Sequence, residues 1–159
     1  MRIAAIRRPE RERIISDPGS CLRSKRFRME RFPFNPHHHP EIELTLIERG
    51  SGVRSVGMAS EAYGPGDVVL VGGDVPHTWS SPAGQPGGAQ SVVIQFPAGL
   101  LGDVPEARRL DEILVRARLG LAGPPAAAAL VTAIHDAVDP LQRLARLLEA
   151  VAAAAAWRG

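Results

Sequence analysis

The apolar positions of the chain change their period once. Between Ser20 and about Pro97 they come in short runs cut by Gly and Pro: CLRSKRFRME, IELTLIERG, GVRSVGM, DVVLVGG and QSVVIQF. Runs of this length with turn residues between them predict strands, and their regular spacing predicts a mainly β sandwich or barrel. From Val104 the glycines thin out, alanine and leucine take over, and the period becomes about 3.6 residues, which predicts helices. The first follows Pro105 and sets Leu110, Ile113, Leu114 and Ala117 on one stripe, before Gly120 and Gly123 stop it. A second starts at Pro124-Pro125 and runs to about Val138, with Val131, Ile134 and Val138 in line. For the third, Asp139 caps, Pro140 takes the first helical position and Gln142 completes a capping-box-like pattern. Its Leu141, Leu144, Leu148 and Val151 alternate three and four apart, the seam of a short coiled coil. That seam has two outlets, a second copy of the chain or the protein's own second helix.

Length and charge narrow the picture. At 159 residues and 45% hydrophobic content the chain buries one core. Its expected organisation is a basic arm over residues 1–19, a barrel over 20–103 and a helical segment over 104–159. Residues 1–31 hold ten Lys/Arg against four Asp/Glu, but only Phe27 is aromatic within that stretch, so a solvated arm leading into an edge strand is expected rather than a nucleic-acid surface. The N-terminus has no apolar signal-like core and no apolar run approaches a membrane span, so the expectation is a cytoplasmic protein with no membrane partner. The single Cys21 has no internal disulfide partner and is expected to be a small buried residue without chemistry.

The chemistry gathers in FNPHHHPEIELTLIERG, residues 34–50. Strand alternation puts His37 and His39 on one face and His38 on the other, and Glu43 returns to the face of His39. His77 follows a glycine-rich turn in GPGDVVLVGGDVPHTW and can reach back to the same interior. Three imidazoles and a carboxylate form the N/O donor set of a divalent transition metal, Zn, Ni, Fe or Mn. The competing expectation is a hydrogen-bonded polar cluster that holds no metal. Glu41 shares the strand parity of Glu43 and is a rival ligand or a group at the barrel mouth, and Trp79 is placed to line the cavity. Asp67 is expected to cap its turn, and His135, on the second helix, to be ordinary surface.

At these residues the sequence resembles the cupin superfamily. His37, His39, Glu43 and Gly50 fit every spacing of its first motif, and Gly66 and His77 fit the second, with Gly72 where proline is usual and Asp74 where glycine is usual. A closer resemblance, over roughly residues 20–156, is to the N-terminal sensor domain of AraC-type transcriptional regulators, carried by HPEIELTLIERGSGVRSVG, YGPGDVVLVGGDVPHTW and VVIQFP. It implies a double-stranded β-helix, or jelly roll, followed by two to three helices, with the metal held by His37, His39, Glu43 and His77. It also implies a small-molecule effector and a homodimer formed through helices at the C-terminal end, here Leu141, Leu144, Leu148 and Val151.

The DNA-binding helix-turn-helix of that family would begin where this sequence ends, at Gly159. The second and third helices meet through Val138-Asp139-Pro140 without a glycine-containing turn, and the third is mostly Leu and Ala, so neither is expected to read bases. The expectation is a sensor without its reader, a natural short form or an excised domain, with no direct nucleic-acid binding. Two other classes compete with it: a small metal-dependent cupin enzyme of dioxygenase or isomerase type, and a DNA-blind partner that pairs with a full-length relative.

Overall fold

The computed structural model describes residues 7–159. Ten strands run in order: β1 (Glu10–Arg11), β2 (Arg23–Met29), β3 (His37–His38), β4 (Ile42–Arg49), β5 (Gly52–Val56), β6 (Ala59–Tyr63), β7 (Val68–Val71), β8 (His77–Ser80), β9 (Ala89–Phe96) and β10 (Leu121–Ala122). They form two five-stranded sheets, ordered β1-β3-β8-β5-β6 and β10-β7-β4-β9-β2. Every pairing is antiparallel except β1 with β3. The fold is the jelly roll that the motifs imply, with helices α1 (Ala107–Arg116), α2 (Ala127–Asp136) and α3 (Pro140–Ala154) after it.

The second sheet is covered on both faces, which explains its apolar text. One set of alternate residues, Leu44, Leu46, Val68, Leu70, Val92 and Ile94, shares a buried cluster with Leu110 and Ile113 of α1, Val131 and Ile134 of α2 and Leu147 of α3. The opposite set includes Glu43, Thr45, Ile47, Ser91, Val93 and Gln95, which line a cavity inside the barrel. A strand buried on both sides has no solvent-facing set to keep polar, so VVLV reads as a continuous apolar run. The leucines opposite Glu43 therefore do face the helical half, and α2 packs directly on β4 and β9.

Several expectations need correction. Cys21 is exposed, because only its neighbour Leu22 turns into the core. Val138 lies beyond the end of α2 and is 90% exposed. Asp67 does not act as a cap: its carboxylate pairs with Arg54 at 2.7 Å. His135 is half-buried between α2 and β2, with Nδ1 2.6 Å from the Ser24 hydroxyl. Within the basic N-terminal segment Glu10 and Arg11 form an exposed edge strand that pairs with His37 and His38. Asp139 does cap α3, accepting from the Gln142 amide at 2.9 Å. Among the described residues no helix is long and apolar enough to cross a membrane.

Candidate metal centre

The residues that converge come from three strands and one loop. His37 on β3 stands directly opposite His77 on β8 in an antiparallel pair, with ring centroids 4.4 Å apart. Pro40 interrupts the extended chain between β3 and β4, so His39 belongs to neither strand and turns inward from the connection. Its neighbours hold it there: the Asp74 amide donates to the His39 carbonyl at 2.7 Å, and Gly73 passes so close to Pro40 that a β-carbon would sit 2.4 Å from the Pro40 carbonyl oxygen. Asp74 has φ +58°, a left-handed conformation suited to glycine and tolerated by Asp, which accounts for the glycine expected at this place in the motif.

One ligand atom from each of His37, His39, Glu43 and His77 lies within 4.8 Å of the others. His39, Glu43 and His77 are buried and His37 is half-buried. The imidazoles share one arrangement. His37 Nδ1 lies 2.9 Å from the Asn35 carbonyl oxygen, His39 Nδ1 3.1 Å from that of Glu41, and His77 Nδ1 2.8 Å from that of Val75. A carbonyl oxygen only accepts, so each Nδ1 is a donor; Nε2 is left free for other partners, donating to Glu43 at His39 in the metal-free protein and offering a lone pair wherever a bound cation would replace the proton. This backbone anchoring of the distal nitrogen is what metal-ligating histidines use to fix tautomer and ring orientation.

Glu43 is held just as firmly. Its Oε1 accepts from the Thr45 hydroxyl at 2.7 Å and its Oε2 from Gln95 Nε2 at 3.0 Å, while Arg23 donates to Gln95 Oε1 at 3.3 Å and so fixes the amide's sense. Around Oε2 stand His39 Nε2 at 3.0 Å and His77 Nε2 at 3.4 Å. Burial alone would raise the Glu43 pKa, but the positive charge of His77 and the hydrogen bond from His39 outweigh it and hold the carboxyl well below its usual range. For His77 burial is the largest single influence and acts downward, but the Glu43 charge and hydrogen bond and the Val75 carbonyl together outweigh it and raise the ring above its ordinary value. Both directions describe a pocket that calls for positive charge between these groups. The buried His77 Nε2 has no hydrogen-bond partner, an orphan that a coordinated cation would satisfy. The donor set and the orphaned nitrogen fit a divalent transition metal, to which His37, His39, Glu43 and His77 would be the ligands.

The cluster opens at His37 and Glu43 onto a cavity of about 450 Å³ whose other walls include Phe27, Met29, Phe32 and Trp79. Trp79 thus lines the cavity, its ring edge-on to His77 at 5.8 Å. Glu41 lies on the far side of His39, its carboxylate 3.6 Å from Nδ1, and lines a separate outer hollow with Pro40 and Arg13. His38 sits at the rim, 3.6 Å from Asp74. Of the α3 residues singled out in the sequence, Val151 is buried, Leu144 half-buried and Leu141 and Leu148 exposed.

Sequence reading missed Thr45, Gln95 and Glu12. Thr45 carried a signal, since it shares strand parity with Glu43, and Gln95 stands out as an amide in the apolar run VVIQF. The cross-strand register that sets Gln95 against Glu43 was not visible. Glu12, from the N-terminal segment, brings Oε2 within 3.5 Å of His37 Nε2.

A family model described as the AraC-like ligand binding domain matches residues 17–155. The fold is similar to the crystal structure of ToxT from Vibrio cholerae O395 bound to (E)-4-(8-methylnaphthalen-1-yl)but-3-enoic acid, with a TM-score of 0.53 and 10% identity over 82% of this chain. The match covers 54% of the ToxT chain, so this sequence spans about half of that protein. A Bacillus subtilis oxalate decarboxylase mutant is similar at a TM-score of 0.43 and 16% identity, over 59% of this chain and 28% of that one. No curated protein matches the sequence.

Proposed function

Because the chain belongs to the family of AraC-like ligand binding domains, we propose that it is the small-molecule-sensing and dimerisation domain of an AraC-type transcriptional regulator, working in the cytoplasm with a divalent transition metal in its barrel. The observation that carries the metal is the common anchoring of His37, His39 and His77, each with Nδ1 on a backbone carbonyl and Nε2 left free of it. The effector enters the cavity beside that centre, and strand β2 supports a route from effector to helices. Its inner residues Phe27 and Met29 line the cavity, while Ser24 meets His135 of α2. The amide of Ser24 donates to Asp17, whose carboxylate pairs with Arg143 of α3 at 3.1 Å. A body that pushes on Phe27 moves the strand to which both helices are tied.

Dimerisation uses the outer face of α3. Leu141 and Leu148 are 73% and 36% exposed and stand one heptad apart, with half-buried Leu144 between them, whereas Val151 packs into the protein's own core. The domain forms a homodimer and makes no direct, sequence-specific contact with DNA; the DNA-reading function belongs to the rest of such a regulator. Sedimentation is expected to show a dimer at micromolar concentration. Leu141→Glu combined with Leu148→Glu should give a monomer that keeps the wild-type circular dichroism spectrum and a cooperative melt, because both side chains face solvent in the single chain. A wild-type monomer at high micromolar concentration contradicts dimerisation, and a salt-resistant, sequence-specific gel shift contradicts the lack of DNA reading.

A second reading, a metal-dependent cupin enzyme of dioxygenase or isomerase type, draws on one observation. The cluster faces the cavity at His37 and Glu43, and a six-coordinate ion held by its four residues would keep positions free for a substrate. Turnover of a cavity-sized substrate by metal-loaded protein would favour it over sensing.

A further inference from the structure

Glu12 has no place in the four-ligand set, yet the fold brings it to the open side of that set. The amide of Glu10 donates to the Pro36 carbonyl and that of Glu12 to the His38 carbonyl, both near 3 Å, which lays β1 along β3 and delivers the Glu12 side chain to His37. Glu12 Oε2 stands 3.5 Å from His37 Nε2, the nitrogen not held by the backbone. With metal–ligand distances near 2.1 Å, neighbouring donors in a six-coordinate shell stand about 3 Å apart. The contacts His39–Glu43 at 3.0 Å and His77–Glu43 at 3.4 Å are of that order, and Glu12, 3.5 Å from His37, stands just outside the cluster of four and would swing inward to join it. Glu12 also lines the same cavity as His37 and Glu43.

Charge supports a second carboxylate as a fifth ligand. Three neutral imidazoles and Glu43 leave a divalent ion with one uncompensated positive charge in a largely buried pocket, a costly state that another anion relieves. Glu12 is suited to be that anion only loosely. Its side chain is 40% exposed, its segment is tied to the sheet by a two-residue strand, and Arg23, 3.9 Å away, offers it an alternative partner. On the reading of the cluster as a metal centre, we propose that Glu12 is an exchangeable ligand occupying the coordination position that the carboxylate of a small organic acid takes when its apolar body fills the space between Phe27, Met29, Phe32 and Trp79. Exchange conserves charge at the ion, one carboxylate for another, and releases Glu12 toward Arg23.

Cobalt(II) is the probe, because its visible absorption reports the ligand shell. Wild-type protein and Glu12→Gln are loaded with Co²⁺ and titrated with hexanoate and, in parallel, with 1-hexanol. The absorption of the variant is expected to differ from wild type and to return toward it as hexanoate binds. Removing the internal competitor should tighten hexanoate by about threefold, because the site no longer spends part of its time closed by its own loosely held carboxylate. Hexanol, which brings no anion, should show no such gain. Matching Co²⁺ spectra and equal hexanoate affinities in the two proteins would defeat the role of Glu12 while leaving the metal centre standing. Failure of both proteins to take up Co²⁺ would defeat the metal centre and the exchange with it.

Discussion

Replacing His77 with alanine is expected to lower divalent-metal affinity by more than about a hundredfold. Losing a group that merely orients a ligand costs tenfold to a hundredfold, and His77 is itself a proposed ligand, buried and held at Nδ1 by the Val75 carbonyl. Titration calorimetry with Zn²⁺ checks it; an unchanged affinity would remove His77 from the ligand set. The same experiment has a defined pH dependence. A ligating imidazole must give up its Nε2 proton, and in the metal-free protein burial, the largest single influence on the His77 pKa, acts downward but is outweighed by the Glu43 charge and hydrogen bond together with the Val75 carbonyl. Protons therefore compete with metal to above the ordinary histidine value of 6.5, and affinity climbs as pH rises through the raised pKa. The folding linkage runs the opposite way. The raised His77 pKa contributes stability to the metal-free protein that is full below 6.5 and is lost as pH rises through the folded value. The lowered Glu43 pKa adds stability above 4.5 that disappears as pH falls through its folded value. The thermal midpoints of loaded and metal-free protein should thus diverge as the solution is made alkaline.

Ile113→Asp should leave the chain largely unfolded. Ile113 is 3% exposed and sits with Leu110 and Ala117 in the cluster that joins the helices to the outer face of β4, β7 and β9. A carboxylate there is buried without a partner and costs several kcal/mol, against a total stability of about 5–15 kcal/mol for a domain. Leu114, one residue on and only half-buried, should tolerate the same change far better. Circular dichroism melts of the two variants separate these outcomes, and a wild-type melting curve for Ile113→Asp would contradict the packing described.

The contrast between those neighbours shows what the sequence could carry. Helical periodicity identified the stripe of Leu110, Ile113, Leu114 and Ala117, yet its depth depends on the opposing sheet, which periodicity does not see. On α3 the same reading favoured Leu141, Leu144, Leu148 and Val151, of which Val151 alone belongs to the inward face of Leu147, Ala150, Val151 and Ala154. Alanine lets the helix approach closely, but in an alanine-rich tract it gives no contrast to read. Strands β4, β7 and β9 were legible because both their faces are buried or alternate cleanly. ASEAY of β6 was not, because its residues are mostly exposed and it lies at a sheet edge. The four residues of the cluster could be found from their spacing. Their supports could not, since Gln95 reaches Glu43 only through strand register, and Glu12 reaches His37 through a parallel pairing of two residues.

The most direct measurement is X-ray absorption at the zinc edge of the loaded wild-type protein, with His37→Ala as its control. His37, His39, Glu43 and His77 as ligands predict a nitrogen and oxygen shell at about 2.0–2.2 Å with outer scattering from three imidazoles, falling to two in the variant. A shell without imidazole scattering, or one unchanged by loss of His37, would contradict the centre described.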